Sequence, residues 1–288
     1  MFYDFGFLAA TLPDALSDQT TYKFVDGRDS NCFSVTYEDV PPASTTQSLV
    51  AQKMQTVSAV YGGSVHLHTP LDFSTVLGGG TEAVGSVALP DEERFEISFA
   101  YLKVSDSRAA VLSTVTTDAF MQATYDSIFR SATLVRSEPH ATAPGLSRRF
   151  TGRLSFALPE SFQPPRSVRL AFSTLVLEAS LESTRPPSAP RIEDVAYIDE
   201  GTITMEGGGT HRPVHVQKRE GLLETWVFVH RLASGTVKDR YGVTRLTLPT
   251  SEGDRLSLWS RASERDWGKV GPLWTSLFST LEVEGAES

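Results

Sequence analysis

The chain has 288 residues, 40% of them hydrophobic and 21% charged, with a formal net charge of -9, which is enough apolar content for one large core or two of ordinary size. That acidic balance, with no run of five like charges, excludes the concentrated Lys/Arg surface that nucleic acid or anionic lipid requires. A single cysteine, Cys32, excludes an internal disulfide and a cysteine-built zinc site.

In chain order, the start "MFYDFGFLAATLPD" has no basic segment ahead of an apolar one, and no apolar run approaches the ~20 residues that span a bilayer. A cytoplasmic chain with no stable membrane insertion is expected. "CFSVTYEDV" (32–40) alternates and is rich in β-branched and aromatic residues, which predicts a strand stopped by Pro41-Pro42. A Ser/Thr cluster then caps a predicted helix carrying Leu49, Met54, Val57 and Tyr61, with Gly62-Gly63 as its stop. "SVHLHTPLDF" and "EAVGSVAL" predict strands, and "PDEER" a charged turn. "FEISFAYLKV" places Phe95, Ile97, Phe99 and Tyr101 on one face of a strand. "AAVLSTVT" is a further strand. Asp118 caps a helix with a stripe of Phe120, Met121, Tyr125, Ile128 and Phe129. The Pro-, Ser- and Ala-rich stretch at 136–147 predicts a linker over 136–149.

After the linker the pattern restarts. Gly6, Leu8, Leu12 and Pro13 recur as Gly152, Leu154, Leu158 and Pro159, each 146 positions on. "LVLEASLESTRPP" repeats the strand that ends in Pro-Pro, and "WVFVHRLASGTVKDRYGVTRLTL" repeats the long hairpin at 83–102. Arg108 and Arg255 lie 147 apart, as do Val111 and Leu258; Phe129 and Phe278 lie 149 apart. The constant offset predicts two copies of one domain, 1–135 and 150–288. The second copy holds all four tryptophans, and its "SAPRIEDVAYIDEGTITMEGGG" has lost or shortened the helix seen at 45–61. The expected class is α+β, each copy an antiparallel sheet flanked by helices.

Motifs for chemistry are sparse. His66-Leu-His68 puts two imidazoles on one strand face without a third ligand. His211 and His215 have helical metal spacing but straddle Pro213, so no helix holds them. The triplets Gly78–Gly80 and Gly207–Gly209 lack the Lys-Ser/Thr of a phosphate loop, and Cys32 has no neighbouring His. Asp91-Glu92-Glu93 fits a solvated hairpin tip. No catalytic residue, cofactor or metal is expected, and the chain is expected not to be an enzyme. The remaining signal is apolar. The Phe95-Ile97-Phe99-Tyr101 face lines a groove or forms core. So does its counterpart, read either as Val243, Arg245 and Thr247 or as Thr244, Leu246 and Leu248. The partner-binding set is taken as Phe95, Ile97, Phe99, Tyr101, Leu246 and Leu248.

The opening Leu-Pro-acid motif, the strand pair, the Pro-started helix, the four-strand meander and the closing "IFRSATLV" resemble the DcrB-related proteins of the PsbP/Mog-like fold. Within them the chain most resembles the Eag chaperones of bacterial type VI secretion. The resemblance implies two tandem PsbP/Mog-like domains acting as a fused pair, a monomer serving as a pseudo-dimer. It also implies a non-enzymatic chaperone or adaptor for an apolar, even transmembrane, N-terminal segment of a secreted effector, with a secretion spike protein as a further partner. Two other readings stay open from the residues: a structural component of a secretion or phage-tail-like machine, and a small-ligand binder or enzyme with a pocket between helix and sheet.

Overall fold

The computed structural model describes residues 1–26, 31–88, 94–118, 121–135, 143–183, 189–190, 195, 200–250 and 253–283. The first stretch forms β1 (Phe2–Asp4), β2 (Leu8–Thr11), β3 (Ser17–Asp18), β4 (Tyr22–Val25) and β5 (Asn31–Asp39). Helix α1 (Thr46–Tyr61) follows, then β6 (Val65–Leu67), β7 (Leu71–Thr75), β8 (Gly78–Ala88), β9 (Arg94–Ser105) and β10 (Arg108–Thr116). After α2 (Gln122–Arg130) come β11 (Thr133–Leu134), β12 (Leu146–Phe150), β13 (Leu154–Pro159), β14 (Ser167–Phe172) and β15 (Leu175–Glu182). The remainder comprises β16 (Thr202–Met205), β17 (Thr210–Val216), β18 (Arg219–Arg231), β19 (Val237–Pro249), β20 (Arg255–Ser263), α3 (Trp267–Thr280) and β21 (Glu282–Val283). The class is α+β and mainly β, and every strand pairing is antiparallel among the described residues.

The local chemistry sets most of these elements. Thr45 caps α1 in a reciprocal box: its hydroxyl accepts from the Ser48 amide while the Ser48 hydroxyl accepts from the Thr45 amide. Gly62 ends the helix at φ 59°. β5 shows strict alternation of buried and half-buried residues. α2 begins at Gln122, later than a cap at Asp118 would place it, and Phe120 lies outside the described residues.

The large sheets share one plan. One runs β4-β5-β10-β9-β8-β6, with β7 also on β8. The other runs β14-β15-β20-β19-β18-β16, with β17 on β18 and β3 added beside β14. The chain nevertheless divides differently from the expected 1–135 and 150–288. One compact unit is Thr20–Pro165; the other is Met1–Gln19 with Arg166–Ser288. The cause is a third type of sheet. β13 lies between β12 and β11, whereas β2 lies between β1 and β21. Each recurring opening segment therefore packs in the other half. Its motif now has a physical reading. Gly6 at φ 86° and Gly152 at φ 81° take a left-handed turn that L side chains resist, and Leu8, Leu12, Leu154 and Leu158 point into the cores. The predicted linker is corrected too: its last four residues, 146–149, belong to strand β12, whose partner β13 also pairs with β11.

In the Thr20–Pro165 unit the core is aromatic. Phe33 sits 5.9 Å from Phe24, 6.1 Å from Phe129 of α2 and 5.3 Å from Phe156 of β13. The Tyr37 hydroxyl donates to the Thr151 carbonyl at 2.8 Å. In the other unit Tyr3 stacks on Phe5 at 5.9 Å, and Leu273, Trp274 and Leu277 of α3 are buried. The Trp274 indole donates to Ser260 on β20, so α3 covers the face that carries Leu258. Val111 faces α1 instead, in a cluster with Leu49 and Val50. The 147-residue offset that equates Val111 with Leu258 thus slips by one, and a one-residue slip in a strand changes face. Asp266, just before α3, accepts from the Thr174 amide at 3.0 Å and pairs with Lys269. These partners hold its carboxyl well below the usual carboxylate range, Lys269 most of all.

A fragment of residues 20–165 is expected to fold alone with a cooperative urea transition, and a fragment of 1–135 to lack one. In the full chain, Phe156→Ala should cost the Thr20–Pro165 unit about 3–5 kcal/mol in urea unfolding. A cooperative 1–135 fragment would contradict the exchanged pairing.

Candidate functional site

The sequence-selected partner residues are mostly interior. Phe99 and Tyr101 are 4% exposed and lie in the cluster beneath α1, with Ile97 buried and Phe95 half-buried on the same strand. Leu246 and Leu248 are fully buried on the α3 side of β19, the face opposite Arg245 and Thr247. None of the six except Phe95 is available to a partner without displacement of what covers it.

The helix over Phe99 and Tyr101 is lightly seated. Only Leu49 and Val50 of its sixteen residues are buried, Met54 and Val57 are partly buried, and Val60 and Tyr61 are exposed at its end. Its first turn is held by polar bonds. Thr46 shares a 2.8 Å hydrogen bond with Thr81, and Gln47 donates to Asp72 at 3.0 Å. Thr81 in turn donates to Asp72 at 2.7 Å. Asp72, Thr81, Tyr101 and Val111 form one cross-strand row over β7, β8, β9 and β10.

The row across β17, β18, β19 and β20 is His211, Glu224, Arg245 and Trp259. Its chemistry is different. Glu224 and Arg245 are 4% and 2% exposed. Nε and Nη2 of Arg245 donate to Oε2 of Glu224 at 2.7 and 2.5 Å, and His211 Nδ1 meets Oε1 at 3.0 Å. Trp226 lies 5.1 Å from the guanidinium, and its ring passes so close to Gly209 that a Cβ there would come within 2.2 Å of the indole nitrogen. That contact explains the third glycine of the Gly207–Gly209 triplet. Beyond Trp226 the same face is apolar, with Val195, Ile203, Phe228 and Val243. The polar end floors a groove of about 610 Å³ walled by Pro213, Leu222, Thr247, Pro249 and Arg255. In the stretch 188–209, where the sequence predicts loss or shortening of a helix, residues 188, 191–194 and 196–199 lie outside the described residues, and Thr202–Met205 is strand β16.

Other candidates resolve simply. His66 and His68 are exposed, with ring centroids 5.2 Å apart, and among the described residues no group of three His, Cys, Asp or Glu is placed to hold a metal. His211 and His215 sit on a strand, where His215 meets Glu220 at 3.5 Å on the surface. Cys32 is half-buried within β5 and burial pushes its thiol up, away from the reactive thiolate. Asp91-Glu92-Glu93 lies outside the described residues. Among the described residues no helix is long and apolar enough to cross a membrane. Sequence reasoning passed over Glu82. Burial and the neighbouring Asp126 push its carboxyl up to about 7, and Gln122 of α2 donates to it at 3.2 Å.

No protein-family model matches the chain, and no curated protein is similar to it. Among solved structures, a chain from Thermobifida fusca YX ascribed to thioesterase II overlaps it at 10% identity, covering 83% of this chain and 94% of that one. The TM-score is 0.14, so the overlap carries no argument about fold or activity.

Arg245→Met alone should destabilise by about 3–5 kcal/mol, because it strands the Glu224 carboxylate in the interior, whereas Glu224→Met with Arg245→Met should restore most of that loss. Paired urea melts check this. For Glu82 the folded carboxyl keeps its proton over a range where the unfolded one releases it. The contribution of Glu82 to the stability of the Thr20–Pro165 unit is therefore fully present below pH 4.5 and is lost as pH rises to about 7. Glu82→Gln should flatten that slope in melts run across this range.

Proposed function

We propose that the chain is a non-enzymatic adaptor that binds an apolar helical segment of a protein partner. The observation that carries this reading is the light seating of α1 over an aromatic strand face. A sixteen-residue helix that buries two side chains gains little from packing, and helices of that length rely on packing for their stability. An incoming apolar helix has a strip to extend: Val60 and Tyr61 at the end of α1, with the half-buried Phe95 on the strand face that α1 covers. Such a segment lays its apolar side along a hydrophobic strip and is read at i, i+3 and i+4 positions.

The finer reading rests on the sequence resemblance. The chain is two diverged PsbP/Mog-like copies, a fused pair of the Eag type, and its partner is a secreted effector delivered to a type VI spike. The common strand order of the two large sheets supports a duplication, and the exchanged opening segments give a fused pair a reason to stay in one chain. The acidic surface suits a carrier that keeps an apolar client from aggregating.

The test is affinity capture of the tagged full chain from its native cells, read by mass spectrometry. One dominant partner with an apolar N-terminal segment, lost when that segment is deleted, is expected. Val60→Asp with Tyr61→Asp should weaken capture at least tenfold while stability changes by no more than about 0.5 kcal/mol. Capture unchanged by that pair, or a chain that emerges without a partner, overturns the reading.

A further inference from the structure

The groove beside His211, Glu224 and Arg245 has unused donors. Among the described residues seven buried side-chain polar atoms have no hydrogen-bond partner, and two of them belong to residues that line the groove, Nη1 of Arg245 and Oγ1 of Thr247, with Oγ of Ser257 a third, fully buried behind the lining. Their proximity follows from register. Thr247 lies two residues beyond Arg245 on β19 and hence on the same face, and Ser257 is its direct partner on β20. Buried polar atoms without partners cost free energy, and native structures hold few of them. Two such atoms side by side in the wall of a groove mark a site whose partner comes from outside the fold.

The chemistry of the cluster specifies that partner. Nη1 offers two N–H groups, and the Thr247 hydroxyl can donate beside it. The nearest carboxylate, Glu224, is engaged at both oxygens by His211 and by Nε and Nη2 of Arg245, and leaves Nη1 without an acceptor. The missing group must therefore accept hydrogen bonds. Its charge is limited by the surroundings: Arg245 is paired with Glu224, and Arg255 stands between the groove residue Glu220 and Glu182, its register partner on β15. A dianion such as phosphate meets two carboxylates there, whereas a single negative charge takes up the guanidinium edge at lower cost. Pro213, Leu222 and Pro249 offer an apolar wall, and about 610 Å³ lies within the range of small-molecule sites. The guanidinium is fixed in advance by the Glu224 bonds and by Trp226, so little ordering is left for binding to pay.

We propose that this groove binds a small organic monocarboxylate with an apolar body, the carboxylate on Arg245 Nη1 and Thr247 Oγ1 and the body along Pro213, Leu222 and Pro249. The site lies in the unit formed by Met1–Gln19 and Arg166–Ser288, and it stands independently of the adaptor reading, which concerns the Thr20–Pro165 unit.

The test is calorimetric titration of the full chain with benzoate, phenylacetate and octanoate, alongside benzamide and inorganic phosphate. Saturable 1:1 binding of at least one carboxylate with a Kd of about 1 mM or tighter is expected, with a parallel change in tryptophan fluorescence from Trp226. Benzamide should bind about tenfold more weakly than benzoate, and Thr247→Val should cost the best carboxylate a similar factor. Because Arg245→Met alone threatens folding, the second variant is Glu224→Met with Arg245→Met, which should abolish binding in a chain whose melt remains cooperative. No saturable binding of any of the three carboxylates overturns the proposal. So does affinity unchanged in both variants, and so does phosphate binding more tightly than every carboxylate.

Discussion

The pairing of β2 with β21 and of β13 with β11 is the constraint on which the rest of the molecule depends. β11 and β21 are only two residues long, too short to fold by themselves, yet each fixes where an opening hairpin goes. Those hairpins carry a large part of the apolar surface. Phe156 fills the space against Phe33, and Tyr3, Phe5, Leu8 and Leu12 are buried in the unit that contains α3. An opening segment placed in its own half would leave the aromatic core of the other without a wall. The consequence is a unit that is continuous in sequence, Thr20–Pro165, and one that closes the N-terminal residues against the C-terminal ones.

With that scaffold fixed, equivalent strands are used for different ends. Under α1, Asp72 and Thr81 make a set of short hydroxyl and carboxylate bonds that tie the first helical turn to the sheet. Across β17 to β19 the row of His211, Glu224 and Arg245 is a buried ion pair with an imidazole at its rim. Burying an ion pair rarely adds net stability, since desolvation offsets attraction. A fold that keeps one, leaves an edge of the guanidinium unpaired, and borders it with a groove is spending stability on something other than the core.

How much was legible depends on what kind of order is involved. Strand alternation marked β5, β9 and β10, and the Ser/Thr cluster with Gly62 bracketed α1 closely, because capping and side-chain parity are local properties. The recurrence of Gly6, Leu8, Leu12 and Pro13 at 152, 154, 158 and 159 was visible as a pattern, and turn glycines and core leucines account for it. The choice of Leu246 and Leu248 as binding residues followed hydrophobicity, and it selected the buried parity of β19. The alternative parity, with Val243, Arg245 and Thr247, holds the groove. No feature of the strand itself distinguishes them, because β19 is covered on one side by α3 and on the other by residues far away in sequence. Glu82 gave no signal either, since its raised carboxyl comes from burial and from Asp126, 44 positions on.

The sequence by itself determined local elements: strands such as β5, β9 and β10, the capping of α1, and that an opening motif occurs twice. Periodicity and capping act over a few residues, so they can be read in one dimension. Only the tertiary structure decided which half each opening segment completes, because a hairpin's apolar face fits either of two similar sheets and the closing strand makes the selection. It also decided which face of β19 borders the groove, and it brought Arg245, Thr247 and Ser257 together. Those outcomes depend on pairings between distant strands, and no local pattern of residues encodes them.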